Sequence, residues 1–385
     1  MNEHGPLTEL IRGEIAARGA LPFARFMELA LYAPGLGYYE REEAVIGRRG
    51  DFYTSVSVGS LFGELLAFQF AGWATEARGE MVDAGCRMPA QIVEAGAHDG
   101  RLAADILGWL REQRGELFAA LEYWIVEPSA RRRAWQEKTL AGFASSVRWA
   151  ETLGELPDAE YRILFCNELL DAFPVHRLGW DARARQWFEW GVGWDGGHFV
   201  WQRSALPPTA AHETSATSLV SAFRFPLSAF LEVLPDGYTI EVSPAAEPWW
   251  HEAATTLTHG KLLCFDYGLT DDELFAPERT RGTLRAYHRH HAGDDPLVAP
   301  GEQDLTAHVN FSALQRAGEA AGLRTESFVT QSQFLTALAA KAWAAPASFS
   351  AWIPACTRQF QTLTHPEHLG RAFRVLVQGR GEKVK

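Results

Sequence analysis

Three short stretches of this chain set carboxylates, an amide and glycines at the ends of apolar runs. In Val93-Glu94-Ala95-Gly96-Ala97-His98-Asp99-Gly100-Arg101 an apolar strand meets an acid and two glycines before a helix begins. Glycine allows a tight turn and a close approach of backbone to ligand, so in a nucleotide-binding α/β fold a small charged cofactor would sit at this junction. A dinucleotide fingerprint needs glycine at its first, third and sixth positions. Counted from Gly96 those places hold Gly96, His98 and Arg101, which disfavours NAD. Glu94 argues the same way, because a carboxylate repels a pyrophosphate but attracts the ammonium and sulfonium of S-adenosylmethionine. Glycine at such a turn can also serve shape alone.

One βα unit further on, Leu121-Glu122-Tyr123-Trp124-Ile125-Val126-Glu127-Pro128-Ser129 reads as a buried strand ending in an acid. Glu127 falls in the window, roughly 20 to 30 residues past the glycine turn, where a carboxylate accepts both hydrogen bonds of a ribose diol. The alternative for an acid at a strand end is a helix cap or a solvated loop charge. A third run, Arg162-Ile163-Leu164-Phe165-Cys166, stops at Asn167-Glu168 and reaches Asp171 before Pro174. Ligands of open α/β sheets bind outside the carboxyl ends of strands, so Asn167, Glu168 and Asp171 are candidates for holding the group that receives the chemistry. Asn167 and Asp171 would otherwise cap a following helix.

The elements that must carry these groups follow from hydrophobic periodicity. Strands are expected near Ile92, Ile125, Val147 and Leu164 and at Lys261-Leu262-Leu263-Cys264-Phe265-Asp266, alternating with helices as a parallel α/β sheet requires. Leu7, Leu10, Ile11 and Ile15 recur at helical spacing, residues 23–31 repeat the pattern, and residues 63–73 form another amphipathic helix. Residues 78–89 read as a polar connection into the sheet. Between the fourth and fifth strands, residues 176–203 alternate apolar and polar around Asp195-Gly196-Gly197, the pattern of a twisted hairpin or meander. Its tryptophans, Trp187, Trp190, Trp194 and Trp201, suit packing better than ligand stacking. Residues 207–217 read as a loop, and residues 237–243 as a further strand that leads into a helix.

Gly50-Asp51-Phe52-Tyr53-Thr54-Ser55 with Leu61-Phe62-Gly63-Glu64, the Glu94 to Gly100 turn, Asn167 to Pro174, Gly282-Thr283-Leu284-Arg285-Ala286-Tyr287 and the run from Pro300 to Phe311 together resemble the MidA-like class I methyltransferases. That family includes a mitochondrial complex I assembly factor that methylates a protein arginine. The resemblance implies a Rossmann-like class I methyltransferase sheet with a helical N-terminal region and a β-rich insertion. It divides the chain into a helical region closing over the cofactor (1–85), the first part of the catalytic domain (86–175), an insertion walling the acceptor cleft (176–250) and the rest of the catalytic domain (251–385). It implies S-adenosyl-L-methionine as cofactor, S-adenosylhomocysteine as product, and these roles: Glu94, Gly96 and Gly100, with His98, at the methionine end; Glu127 and Pro128 at the ribose; Asn167 and Glu168 nearest the methyl group; Asp51 and Thr54 closing over the cofactor. Two departures stand out. Val56-Ser57-Val58 replaces the usual Pro-Glu continuation, and Asn310 stands where aspartate is usual.

Composition bounds the partners. The 385 residues are 47% hydrophobic, enough for a sizeable core, and carry a formal charge of −12. That charge argues against binding nucleic-acid backbones while leaving a basic protein or peptide acceptor open. Cys86, Cys166, Cys264 and Cys356 form no Cys-x-x-Cys, so neither a disulfide framework nor structural zinc is expected, and a cytoplasmic setting fits. No apolar run approaches the roughly 18 residues of a membrane helix, so membrane insertion is not expected. His288, His290 and His291 lie in a loop-like segment without a shared face, and metal binding is not expected there either. His308 is the candidate for acid/base work, since free imidazole titrates near neutrality, with a structural histidine as the alternative. The oligomeric state is left open.

For an arginine acceptor, Glu168 and Asp171 would grip the guanidinium while one nitrogen attacks the methyl carbon. A small-molecule O- or N-acceptor is the second reading, prompted by Val56-Ser57-Val58 and Asn310. A non-catalytic cofactor-binding assembly factor is the third.

Overall fold

The computed structural model describes residues 5–41, 54–83, 90–204, 234–288, 291–293, 295–349, 351–367 and 369–381. The chain forms two compact units, each assembled from three stretches: Met1–Phe52, Leu170–Pro248 and Leu269–Ala313 in one, Tyr53–Leu169, Trp249–Gly268 and Leu314–Lys385 in the other.

The second of these units is built on a mixed sheet. Its strands are β1 (Gln91–Ala95), β2 (Glu122–Val126), β3 (Val147–Ala150), β4 (Tyr161–Asn167), β5 (His259–Leu269), β6 (Arg324–Thr330) and β7 (Phe373–Arg380), in the order β6-β7-β5-β4-β1-β2-β3. The first five run parallel, and β7 lies antiparallel between β5 and β6. β1 is buried at every residue, as a central parallel strand covered on both faces must be. Ile92, Tyr123, Ile125, Ile163 and Phe165 share one core with Leu65, Leu66 and Phe70 of the helix Leu61–Asp83 and Ile106, Leu107 and Leu110 of the helix Arg101–Gln113. From β1 the chain steps to β2 and β3 on one side, then returns to β4 and β5 on the other. The strand order therefore reverses between β1 and β4, and a ligand belongs outside the carboxyl ends of those two strands.

The polar connection expected from residue 78 gives way to helix: the backbone stays helical to Asp83, and residues 84–89 lie outside the described residues. Exposed charged residues such as Glu76 are good helix formers and do not end a helix by themselves.

The other unit holds the helices Pro6–Arg18 and Phe23–Tyr32 and an antiparallel sheet of Leu21–Pro22, His176–Asp181, Gln186–Asp195, His198–Ser204 and Thr239–Val242. The expected hairpin closes Asp195 onto His198 through Gly196 and Gly197, both at positive φ as this two-residue turn demands. The tryptophans pack on neighbouring rings: Trp187 on Trp180, Trp190 on Phe188, Trp194 on Phe199 and Trp201 on Phe23, at centroid distances of 4.8 to 5.3 Å. A small sheet sets Arg285–His288 between His291–Gly293 and Asp304–Thr306. Residues 207–217, and Arg289 and His290 of the histidine cluster, lie outside the described residues.

Candidate active site

The turn after β1 is shaped by three left-handed residues: Gly96 at φ +73°, His98 at +46° and Gly100 at +83°. The φ at 96 favours glycine, and a Cβ there would also come within 2.7 Å of Leu169 Cδ1, so the leucine tip would have to move. Glu94 is 3% exposed and accepts a 2.6 Å hydrogen bond from the Tyr123 hydroxyl on the neighbouring strand. Burial pushes its carboxyl up to about 7; the Tyr123 bond opposes this, while Asp99 and Asp105 add to it. Asp105, on the helix that follows, is itself raised to about 6, by burial and then by Glu64. Both carboxyls hold their protons more tightly than an ordinary acid, and a cation placed here would favour the ionised form.

Glu127 follows β2 fully buried. It accepts from the Ser129 N–H (3.0 Å) and Gln136 Nε2 (3.2 Å) and pairs with Arg132 Nε at 3.2 Å. Burial raises its pKa against the pull of Arg132. A carboxylate has about four lone-pair positions, so these three partners leave room for a ribose hydroxyl. Pro128 stands exposed beside it.

β4 ends at Asn167, and no helix follows: residues 168–175 are turns and irregular chain, so neither Asn167 nor Asp171 caps one. Glu168 takes φ +52°, its N–H donating to the Phe265 carbonyl at 2.9 Å. Its Oε1 accepts from Asn167 Nδ2 (3.0 Å) and the Ser55 N–H (3.4 Å). Ser55 opens a short helix, Ser55–Val58, whose cap is Thr54: the Thr54 hydroxyl accepts from the Ser57 N–H and the Ser57 hydroxyl accepts in return. The Ser55 hydroxyl bonds to Gln331, fully buried, and Gln359 accepts from the Leu61 N–H. Gln331, Gln359, Gln136 and Tyr123 all shape this site, as does Asp266, which accepts from the Leu169 N–H. The three glutamines carry no sequence signal, because each acts through a contact on another element. Asp266 ends the apolar run that starts at Lys261, and strand alternation places Tyr123 on one face with Ile125.

Asp171 and His308 belong to the other unit. Asp171 is 5% exposed, and its carbonyl accepts from the Ala307 N–H. His308 donates its backbone N–H to the Thr283 hydroxyl, while burial, helped by Arg279 and Arg285, lowers its imidazole to about 4. It is therefore neutral at pH 7 and does not titrate near neutrality. Asn310 caps the helix that starts at Phe311, its Oδ1 accepting from the Ala313 N–H and its Nδ2 donating to Asp271 at 2.8 Å. Asp51 lies outside the described residues. Among the described residues, no group of three or more His, Cys, Asp or Glu could hold a metal.

Two buried polar atoms flank the point where the strand order reverses: His98 Nε2 after β1 and Asn167 Oδ1 at the end of β4, each without a hydrogen-bond partner among the described residues. Unsatisfied groups of this kind are what a site keeps for its ligand. With an acid, a glycine turn and a second acid one strand away, they fit a positively charged nucleoside and define a nucleoside-cofactor enzyme of the α/β class.

The sequence profile of a family of S-adenosyl-L-methionine-dependent methyltransferases matches residues 71–329, and the chain belongs to that family. A crystal structure of a superfamily member from Burkholderia thailandensis bound to S-adenosyl-homocysteine is similar over 100% of this chain and 96% of that one, with 32% identity and a TM-score of 0.80. "Protein arginine methyltransferase NDUFAF7 homolog, mitochondrial" from Drosophila melanogaster is 29% identical over 83% of this chain and 71% of that protein. "Protein arginine methyltransferase NDUFAF7, mitochondrial" from Mus musculus is 29% identical over 82% and 70%. The protein is thus an enzyme, a methyltransferase whose cofactor is S-adenosyl-L-methionine. The expectation of a cytoplasmic setting is overturned by these relatives, which are named as mitochondrial proteins; cysteine spacing bears on redox environment and cannot distinguish reducing compartments. No helix among the described residues is long and apolar enough to cross a membrane.

Proposed function

We propose that this methyltransferase acts on an arginine side chain of a partner protein, with Glu168 as the group that grips the acceptor. The observation that carries the reading is the left-handed turn at Glu168, which holds a carboxylate at the end of β4, beside the Gly96 turn, with the Ser55 N–H and Asn167 fixing one of its oxygens. The names of the curated relatives support the same acceptor.

The chemistry explains why a carboxylate is needed. A guanidinium has a pKa above about 12, so it cannot be deprotonated in advance, and an acid must hold it and turn one nitrogen toward the methyl group. Alignment and exclusion of water are the main devices, worth up to about 7–11 kcal/mol when fully realised. Glu94, Gly96, His98 and Gly100 take the methionine end of the cofactor, Glu127 and Pro128 its ribose, and Asn167 the edge nearest the sulfur. Thr54 shapes the segment that brings the Ser55 N–H to Glu168. When bound, the cofactor would supply an electrophilic methyl on a sulfonium; the thioether would leave without a proton, and the proton shed by the methylated nitrogen would pass to the Glu168 carboxylate and on to solvent.

A small-molecule acceptor gains nothing from the two departures that suggested it. Val56 and Val58 pack against the core, Ser57 completes a helix cap, and Asn310 caps another helix. The test is incubation of the full chain with methyl-labelled cofactor and a mitochondrial lysate, followed by hydrolysis of the protein fraction. Label in methylated arginine is expected; label confined to small molecules or to methyl-lysine sinks the proposal. Glu168→Gln should retain cofactor binding and lose transfer, and equal loss of both would remove Glu168 from the acceptor's side.

A further inference from the structure

We infer that Gln136 is a positioning residue that ties the two cofactor turns together and presents Glu127 to the ribose. The inference rests on the reading of Glu127 as the ribose acid. Gln136 is fully buried on the helix Ala130–Thr139, which Ser129 caps through the Arg132 N–H. One amide hydrogen goes to the His98 carbonyl (3.0 Å), in the turn after β1, and the other to Glu127 Oε2 (3.2 Å), after β2. Its own oxygen accepts from Trp149 Nε1, on β3, at 2.9 Å.

The chemistry of the partners leaves the amide a single orientation. An indole N–H only donates, so it must face the amide oxygen; a carbonyl and a carboxylate only accept, so both must face the amide nitrogen. Every hydrogen-bonding direction of the nitrogen is used. Rotating the amide would set its nitrogen against the Trp149 N–H and its oxygen against two acceptors, the His98 carbonyl and Glu127 Oε2. Gly100 lies against this helix: a Cβ there would sit 3.3 Å from Leu140 Cδ1 and 3.4 Å from Gln136 Cα, the second an ordinary contact distance. Gln136 thus holds the strained His98 turn by its carbonyl and the Glu127 carboxylate by one oxygen, leaving the other oxygen to Ser129 and Arg132.

The test compares S-adenosylhomocysteine with its 2′-deoxy analogue by calorimetry on the full chain. Wild-type protein should prefer the parent by about tenfold or more, the expected loss for a hydrogen bond to a charged group. In Gln136→Leu the parent should bind about tenfold more weakly and the preference should shrink toward unity. A general loss of packing would weaken both ligands equally and leave the preference intact, which would overturn the proposal. Should Gln136→Leu fail to fold, Trp149→Phe removes the donor that orients the amide and should shrink the preference in the same direction; an unchanged preference there overturns it too. Wild-type protein that does not discriminate between the ligands would overturn the ribose reading of Glu127 and this proposal with it.

Discussion

Glu94 is the residue whose protonation should couple cofactor binding to pH. Its carboxyl lies within the core, raised by burial from an ordinary 4.5 to about 7. A raised acid favours the neutral form in the folded state. Its contribution to stability is therefore complete below pH 4.5 and lost as pH rises through 7, amounting to roughly 3 kcal/mol over that span. A cation at the methionine end demands the opposite form, the carboxylate. If only ionised Glu94 binds, affinity should be about tenfold weaker at pH 6 than at pH 8, and at pH 7 about half a proton should leave for each cofactor bound. Calorimetry in buffers of different ionisation enthalpy counts that proton directly. Glu94→Gln should abolish the release attributable to this group and weaken binding by roughly 1.5–3 kcal/mol, the usual cost of losing a hydrogen bond to a charged group. It should also flatten the fall in melting temperature of the ligand-free protein between pH 5 and 8. Proton release that is the same in wild type and Glu94→Gln would refute the coupling, and with it the placement of Glu94 beside the cofactor's charge.

Three further expectations follow from the site and its surroundings. Asn310→Asp keeps a good helix cap but sets a carboxylate against Asp271 in place of a 2.8 Å hydrogen bond, so thermal unfolding at pH 7 should show a loss of about 1–2 kcal/mol that Asp271→Asn restores. His308, lowered to about 4, should contribute no limb to kcat/KM between pH 6 and 9; a limb that disappears in His308→Gln would show that it titrates after all. Because a depressed imidazole contributes stability that is present above pH 6.5 and lost as pH falls through 4, His308→Gln should also lessen acid sensitivity in that window. His98→Gly removes a strained side chain whose Nε2 has no partner among the described residues; it should stabilise the ligand-free protein by roughly 1 kcal/mol while weakening cofactor binding, and a less stable variant with unchanged affinity would be the contrary result.

The parts of this architecture written locally were readable from the sequence. β1, β2, β4 and β5 announce themselves as apolar runs ending in an acid, and Gly196-Gly197 as a hairpin turn, because each depends on neighbours a few residues away. The proposed triplet of Glu94, Glu127 and Glu168 is readable for the same reason, each acid standing at the end of its own strand. What escaped was anything decided by long-range contact. The glutamines at 136, 331 and 359 carry no motif, yet they fix Glu127, Ser55 and Leu61 from other elements. The departure at Asn310 looked like a change of chemistry because its partner, Asp271, lies 39 residues away in sequence. Its amide replaces one of two carboxylates that would otherwise face each other, a local electrostatic solution.

Strain gives a second line of argument for the proposed roles of His98 and Glu168. They are two of the four non-glycine residues at positive φ among the described residues, and they follow adjacent strands at the point where the strand order reverses. A left-handed conformation costs a residue with a Cβ of the order of 1 kcal/mol or more, and glycine would remove that cost. The same turn already uses glycine at 96 and 100, so the chain is not short of the cheaper solution. Side chains at 98 and 168 are therefore retained against a conformational penalty, and each reaches something a glycine cannot: His98 presents a buried, unpaired Nε2, and Glu168 presents a carboxylate tied by one oxygen to Asn167 and Ser55. Hydrogen bonds offset the penalty at both places, through the His98 carbonyl and the Glu168 N–H. A turn whose shape alone mattered would need neither side chain.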